Sequence, residues 1–339
     1  MTSTGRTAVS GAAPAGQPRQ AELAMVLWMV LLTALWGLNA VTIKILTLDV
    51  APIMGAGLRG VVALPFLTAF GLLRGESLRF SGPVLFHGIV AALIFGTEFI
   101  LVYSGAKLTN GGHTAIFLNT APFFVAVGAH YLLPGDRLTW LRMGGLVLAF
   151  TGVVVLFSDD LLVQNLGFWR GDLVVMGGAM LWACHTLYMK RFLMGRTSAF
   201  RTLYVQMLAY TPYLIGVSLL TESEPLRDAT VTAGVVLLYQ GVIVVFLTYM
   251  MWMHLLSRYP ASSMQSLTFM SPVWGVIAGV VLLGEHVSLL MSGGIVLVGL
   301  GLYLVNRPAA PSLPAAPTPE VEAEETGAAA TTSDGGTRG

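Results

Sequence analysis

Ten long apolar segments dominate this chain and restrict what it can fold into. Each is about 20 residues long, which is the length that a helix needs to cross a bilayer. Only 10% of the residues are charged, whereas a soluble domain carries roughly 25%. We therefore predict an all-α membrane protein with ten transmembrane helices. The predicted spans are residues 23–45, 51–73, 83–105, 111–132, 139–157, 172–190, 201–220, 231–253, 261–283 and 287–306.

The second half of the chain repeats the residue pattern of the first. Trp36 is followed eight residues later by Lys44, and Trp182 is followed eight residues later by Lys190. The displacement is 146 residues for these pairs and 149 for two matching glycine pairs, which indicates a duplication with small insertions. The glycine pairs are Gly144-Gly145 and Gly293-Gly294.

Five spans in each half is an odd number, so the second half must cross the membrane in the opposite sense from the first. We expect one five-helix repeat at residues 23–157 and an inverted second repeat at 171–306. Inverted repeats of this kind build transporters whose midplane site opens alternately to the two sides. The architecture therefore favours a carrier.

The termini and the positive charges give an orientation. Residues 1–20 and 307–339 have too little apolar content to pack, and we expect both to be disordered. Thirteen Lys and Arg residues fall on the side of the two termini and four on the other side. Because positive residues accumulate in cytoplasmic loops, we predict a multi-pass protein of the cytoplasmic (inner) membrane with both termini in the cytoplasm. The first span is too long for a signal peptide and is expected to be retained.

The order and duplication of several short motifs resemble the drug/metabolite transporter superfamily, specifically the EamA-type transporters with two five-helix repeats. The resemblance covers roughly residues 23–306 and implies export or exchange of small metabolites such as amino acids. One departure is Asp136, where the family pattern usually has Glu. The matching motifs are Trp36-Gly37-Leu38-Asn39 with Lys44, Leu58-Arg59, the segments at Pro122 and Pro272, Gly171-Asp172, and Gly284-Glu285.

Two charged residues, Arg59 and Glu98, lie well inside predicted spans rather than at their ends. Arg59 and Glu98 both fall on the order of 10–12 Å below the outer surface, by the rise of about 1.5 Å per residue. A buried charge is costly and needs a reason. The pair could be a structural ion pair between two helices, or a substrate or proton site in which Glu98 takes up and releases a proton. A third reading is a Glu98 that stays protonated or turns toward water.

Four further candidates lie at matching places in the first and sixth spans. Trp36 and Asn39 are three residues apart and are expected to face the bundle interior, as are Trp182 and His185. Asn39 contacts either the solute or a neighbouring helix. For His185, hydrogen-bonded packing and a proton relay are both open.

Two prolines stand at equivalent places in the repeats. Pro122 follows Asn119, and Pro272 lies in the ninth span. Proline frees the carbonyl group four residues before it. These positions are either packing kinks or hinges at the site, and their occurrence in both repeats favours the second reading.

Aromatic and amide side chains form a further candidate set, because a solute cavity needs apolar walls with a few polar groups. Residues near span ends usually belong to the interfacial belts, so Tyr249 and Gln265 are retained as site candidates. The full set is Tyr103, Tyr188, Gln206, Tyr210, Tyr239, Gln240, Tyr249, Trp252 and Gln265.

The sequence contains no nucleophile elbow, zinc-protease motif or phosphate-binding loop, so we expect no enzyme activity and no catalytic residues. No Cys/His cluster has metal-ligand spacing, and no cofactor is expected. A net charge of +1 gives no reason to expect nucleic acid. The expected partners are a small-molecule solute, membrane lipids and, if transport is coupled, protons; a homodimer is left open. The alternatives to a carrier are a passive channel and a membrane-embedded enzyme.

Overall fold

The structure is a computed structural model that describes residues 17–158, 168–283 and 288–306. The named secondary-structure elements in these ranges are all helical. They are α1 (Gln17–Leu46), α2 (Pro52–Leu73), α3 (Gly82–Ala106), α4 (Gly111–Leu118), α5 (Ala121–Leu132), α6 (Trp140–Leu156), α7 (Phe168–Phe192), α8 (Ala199–Thr221), α9 (Val231–Leu238), the π-helix π1 (Tyr239–Thr248), α10 (Tyr249–Arg258), α11 (Ala261–Leu267), α12 (Met270–Leu283) and α13 (Leu289–Val305).

The helices confirm a helical membrane protein. Seven helical stretches are long and apolar enough to cross a bilayer, and α6 and α13 are apolar helices of 17 residues. The sixth expected span lies in α7, which has 25 residues and carries charged residues near both ends. Helix α1 begins at Gln17, within the stretch expected to be disordered. The expected tail at 307–339, and the motif Gly284-Glu285, lie outside the described residues.

The helix starts follow from local sequence. Five helices begin after an Asn, Ser or Thr whose side-chain oxygen accepts a hydrogen bond from the backbone N–H three residues later. Such a cap satisfies one of the N–H groups that the first turn leaves unpaired. The capping residues are Asn110, Thr139, Ser198, Thr230 and Ser288.

Two of the long apolar stretches are interrupted near their middle. Helix α4 ends at Leu118 and α5 begins at Ala121, while α11 ends at Leu267 and α12 begins at Met270. The two breaks are 149 residues apart, which is the displacement between the duplicated glycine pairs. A third irregularity, π1, has no counterpart in α3, which is a continuous α-helix in the first half of the chain.

Glycines allow α6 and α13 to pack at backbone contact. A Cβ atom added at Gly152 would lie 2.6 Å from the nitrogen of Val298 and 2.7 Å from the oxygen of Gly294. Such contacts are typical of membrane helices, where small residues let backbones approach closely. The close approach of α6 and α13 therefore depends on glycine at these positions.

Two acidic residues tie the halves of the chain together at opposite ends of the bundle. Glu222 accepts hydrogen bonds from the backbone nitrogens of Ile53 (3.1 Å) and Met54 (3.0 Å), and so caps α2. Asp136 accepts hydrogen bonds from the backbone nitrogen (3.0 Å) and the hydroxyl group of Ser262, and so caps α11. A carboxylate at a helix N-terminus is favoured by the helix dipole. We call these the Glu222 end and the Asp136 end.

The glycine contacts generate a prediction. Gly152→Ala should lower the free energy of unfolding by about 1–3 kcal/mol, the usual cost of overpacking, because the new methyl group meets backbone atoms of α13 that cannot move aside. The measurement is thermal unfolding of the purified protein in detergent. Gly144→Ala is the matched control on the same helix, since no atom lies within 4 Å of its Cβ position. Equal stability of the two variants would contradict the packing described here.

Candidate functional site

Arg59 is the largest fully buried side chain in the described part of the protein. It lies on α2, is 1% exposed, and donates a hydrogen bond from Nη2 to the hydroxyl group of Tyr210 over 3.0 Å. Its guanidinium carbon lies 4.3 Å from the ring centroid of Phe99, an arrangement that partly stabilises a cation. Its Nε has no hydrogen-bond partner. A positive charge is thus held inside the bundle by neutral groups.

Glu98 lies on α3 next to Phe99 and is 5% exposed. Its Oε2 atom is buried without a hydrogen-bond partner. Within the described residues no ion pair of 4.0 Å or less joins Glu98 to Arg59, although the two groups interact electrostatically. The contact ion pair considered from the sequence is therefore absent among the described residues, and the contacts of the guanidinium are with a phenol and a phenyl ring.

Three tyrosines surround these two charges. Tyr210 bonds Arg59 directly, while Tyr103 and Tyr249 interact electrostatically with both Arg59 and Glu98. The ring centroid of Phe99 is 5.8 Å from that of Tyr103 and 6.0 Å from that of Tyr210. We call Arg59, Glu98, Tyr103, Tyr210 and Tyr249 the central cluster. It draws on α2, α3, α8 and α10, so four helices position it.

An aromatic wall adjoins the central cluster through Tyr249. The ring of Trp36 lies 6.4 Å from those of Tyr249 and Trp182, and 5.5 Å from that of Trp252. The indole N–H of Trp36 donates to the hydroxyl group of Thr248 over 2.8 Å. Trp36, Trp182 and Tyr249, three of the residues predicted from the sequence, are therefore brought together.

His185 is connected to the central cluster through the ring of Phe95. Its ring stacks on Phe95 at 4.6 Å with an interplanar angle of 25°, and Phe95 also contacts Tyr210 (5.4 Å) and Tyr249 (5.7 Å). The side chain is 3% exposed and its Nε2 atom has no hydrogen-bond partner. The structure thus places His185 one aromatic ring away from the central cluster, packed on that ring face.

The remaining predicted residues lie at or near the breaks in the helices. Asn119 ends α4, and its amide group bonds the oxygen of Ala115 over 2.8 Å, so it satisfies its own helix. Pro122 lies in the first turn of α5. Pro272 lies in the first turn of α12. Gln265 is in α11, fully buried, and neither polar atom of its amide group has a partner.

The π-helix connects α1 to α2 beside Arg59. The hydroxyl group of Tyr239 donates to the oxygen of Leu35 over 3.0 Å, and the amide of Gln240 donates to Thr42 over 3.2 Å. Thr42 in turn donates to the side chain of Asn39 over 3.3 Å, so Asn39 faces this helical contact. π-Helical turns occur often at functional sites.

Sequence reasoning missed Tyr210 and Gln206, although both were in the wider aromatic and amide set. Tyr210 is fully buried near the middle of α8, and Gln206 is fully buried one turn earlier, where its amide group interacts with His185. Both residues lie deep within a span, and this depth distinguishes them from residues of the interfacial belts. Tyr249 met that criterion and was retained.

The arrangement can bind charged groups but offers no obvious nucleophile or metal centre. Among the described residues, no group of three or more His, Cys, Asp or Glu side chains could hold a metal ion. Buried polar groups without partners are unusual in proteins and need a functional reason. Two such atoms belong to the central cluster, Nε of Arg59 and Oε2 of Glu98.

The bond between Arg59 and Tyr210 generates a prediction. Tyr210→Phe should lower the free energy of unfolding by about 1.5–3 kcal/mol, the range for a hydrogen bond to a charged group, since Arg59 would lose the hydroxyl group that accepts its hydrogen bond. The measurement is thermal unfolding in detergent. Tyr131→Phe is the control, because the Tyr131 side chain is 80% exposed. An unchanged stability in Tyr210→Phe would mean that this bond does not hold the guanidinium.

Comparisons with known proteins agree on one family. The sequence is similar to a probable amino-acid metabolite efflux pump of Salmonella typhimurium, with 28% identity over 284 residues that cover 81% of this chain and 92% of the relative. A probable amino-acid metabolite efflux pump of Escherichia coli is 29% identical over 290 residues, with the same coverage of both chains.

A crystal structure of a protein with 20% sequence identity shares the fold, with a TM-score of 0.73 over 83% of this chain and 98% of that chain. The profile of the EamA-like transporter family matches residues 23–158 and 169–307. These two matches account for most of the described structure. The chain belongs to the EamA-like transporter family.

Proposed function

We propose that this protein is a secondary transporter that moves a small organic solute, an amino acid or related metabolite, out of or across the cytoplasmic membrane by alternating access. The observation that carries the proposal is the central cluster. A cation and a carboxylate, both buried and neither paired with the other, lie among aromatic rings deep in apolar helices. Charges in such places generally mark substrate or ion pathways.

An inverted repeat would allow the central cluster to open alternately to the two sides of the membrane. The breaks between α4 and α5 and between α11 and α12 are separated by the same displacement as the duplicated glycines. Discontinuous helices near the midplane are typical of transporter binding sites. We propose ten spans in two inverted repeats, with Pro122 and Pro272 at the hinges. By the excess of positive residues, the Asp136 end faces the cytoplasm.

The two ends of the bundle differ in how tightly they are closed, which supports an outward-open state. Five of the seven residues in α11 are buried, and α11 packs against α5 at the Asp136 end. In contrast, α4 has two buried residues out of eight. No comparable packing joins α4 to α12 in the described residues. Half-helices closed on one side and parted on the other are expected of one state of an alternating-access cycle.

Lys190 supports closure of the Asp136 end. Its ammonium group donates to the backbone oxygens of Leu256 (2.5 Å) and Tyr259 (2.9 Å), and so joins the end of α7 to the end of α10. Lys44, its counterpart in the duplicated pattern, is exposed. In the opposite state of the cycle, Lys44 would make the equivalent contacts at the Glu222 end while Lys190 is released.

The first test is transport itself. Purified protein in proteoliposomes loaded with unlabelled amino acids should take up the labelled amino acid saturably and by counterflow, because a carrier exchanges solute across a single site. A passive channel would instead give linear flux without counterflow. Turnover of the solute to a product would favour a membrane-embedded enzyme. Either of these results would contradict the proposal.

Glu98 provides the test of proton coupling. If transport is coupled to protons, Glu98→Gln should remove the response of counterflow-competent uptake to an imposed pH gradient, because Glu98 is the buried carboxylate of the central cluster. The measurement is initial uptake rate with and without the gradient. Glu224→Gln, an exposed residue at the Glu222 end, is the control. An unchanged pH response in Glu98→Gln would exclude Glu98 as the coupling site.

The contacts of Lys190 test the alternating-access account. A cysteine placed at the fully buried Gln265, in a Cys184→Ser background, reports opening of the Asp136 end to an impermeant maleimide. Lys190→Met should raise the labelling rate about tenfold, since charged hydrogen bonds of roughly 1.5–3 kcal/mol are lost. Lys44→Met, the matched variant, should not raise it. Equal labelling rates in the two variants would contradict the proposal that the hydrogen bonds of Lys190 keep the Asp136 end closed.

A further inference from the structure

We propose that Arg59 and Glu98 bind the two charges of one zwitterion, the carboxylate and the ammonium group of an α-amino acid. This inference rests on the proposed function and adds which groups of the solute are recognised and by which side chains. It concerns the two charged residues of the central cluster, which form no contact ion pair with each other.

Arg59 presents a site for a carboxylate. Its guanidinium is 1% exposed, bonds the neutral Tyr210, and lies against the ring of Phe99. Its Nε has no partner. Within the described residues no carboxylate lies within 4.0 Å of it. Because the planar guanidinium matches a carboxylate in a two-bond geometry, an incoming carboxylate would supply the missing anion.

Glu98 presents the complementary site. Its buried Oε2 has no hydrogen-bond partner, and an isolated buried carboxylate is strongly disfavoured. An ammonium group would donate to this oxygen. Aromatic rings in the neighbourhood, those of Phe95 and Tyr249, lie 5.7 Å apart and offer further stabilisation to a cation.

The separation of the two charges favours one ligand over two. Arg59 and Glu98 interact electrostatically but are farther apart than a contact ion pair. A molecule that carries both charges satisfies both residues at once and enters the membrane with no net charge. An amine or an acid alone would leave one residue buried and unpaired, which costs much more than the lost bond.

The aromatic wall would receive the rest of the solute. Trp36, Trp182 and Trp252 form an apolar surface next to Tyr249 with few fixed polar groups. Recognition would therefore depend on the backbone charges of the amino acid more than on its side chain. A transporter of this kind accepts several apolar amino acids but rejects their esters and desamino acids.

The experiment is a binding measurement on the purified full chain in detergent. The common L-amino acids are screened individually by thermal shift, and the one with the largest shift is compared with its methyl ester and its desamino acid by calorimetric titration. The unmodified protein should bind the amino acid at least about tenfold more tightly than either analogue, the range expected for a lost charged hydrogen bond.

Variants assign each charge to its residue. Arg59→Gln should lose the preference over the ester, which lacks the carboxylate, and keep the preference over the desamino acid. Glu98→Gln should do the reverse. Arg170→Gln and Glu224→Gln, both exposed, are matched controls that should keep both preferences. Where a variant cannot be purified in a folded form, the analogue comparison on the unmodified protein decides the question.

Three results would overturn the inference: no amino acid stabilises the protein, the ester binds as tightly as the amino acid, or both variants keep both preferences. Binding does not require transport, so the two proposals fail separately. If the protein prefers the zwitterion but shows no counterflow, the carrier proposal fails and the proposed binding site stands. If a solute shows counterflow but the protein has no preference for the zwitterion, the carrier proposal stands and the proposed binding site is wrong.

Discussion

The charge of Arg59 inside an apolar bundle is the constraint on which the rest of the structure depends. Placing an arginine at the centre of a membrane helix costs about 2.5–3.5 kcal/mol even on the most lenient scales. The protein offsets this cost with a phenol and a ring face, without a contact carboxylate. A carboxylate partner would have made a closed structural ion pair. In our proposal, the carboxylate of the solute takes the place of this missing partner.

The helices around this site include closely packed pairs as well as helices that are divided into short segments. Helices α6 and α13 are locked by backbone contact at Gly152, and α2 is capped by Glu222. The helices broken near Pro122 and Pro272 are instead divided into short segments. Rigid helix pairs next to divided helices are what alternating access requires, because the divided helices can pack at one end and part at the other.

The helical, membrane-spanning character of the fold could be predicted from the sequence, because the length of the apolar segments follows from the thickness of the bilayer. The two helix breaks lie beside Pro122 and Pro272, the prolines at which the sequence predicted kinks or hinges. The π-helix was not predictable, because its residues have the same apolar composition as an ordinary span. In the structure two of its side chains, Tyr239 and Gln240, bond to α1.

Only part of the candidate site could be predicted from the sequence. Arg59 and Glu98 stood out because charge in an apolar run needs a reason, and Trp36, Trp182 and Tyr249 converge as expected. Asn119 satisfies its own helix instead, which a residue type alone cannot reveal. The absence of a contact between Arg59 and Glu98 depends on the positions of four helices. A local sequence pattern could therefore not have predicted it.

The most direct measurement is an experimental structure of the protein with its transported amino acid bound. The account predicts density for the solute between Arg59 and Glu98, with the carboxylate against the guanidinium and the ammonium group against Glu98. A structure in which Arg59 and Glu98 form a direct ion pair while the solute lies elsewhere would contradict it.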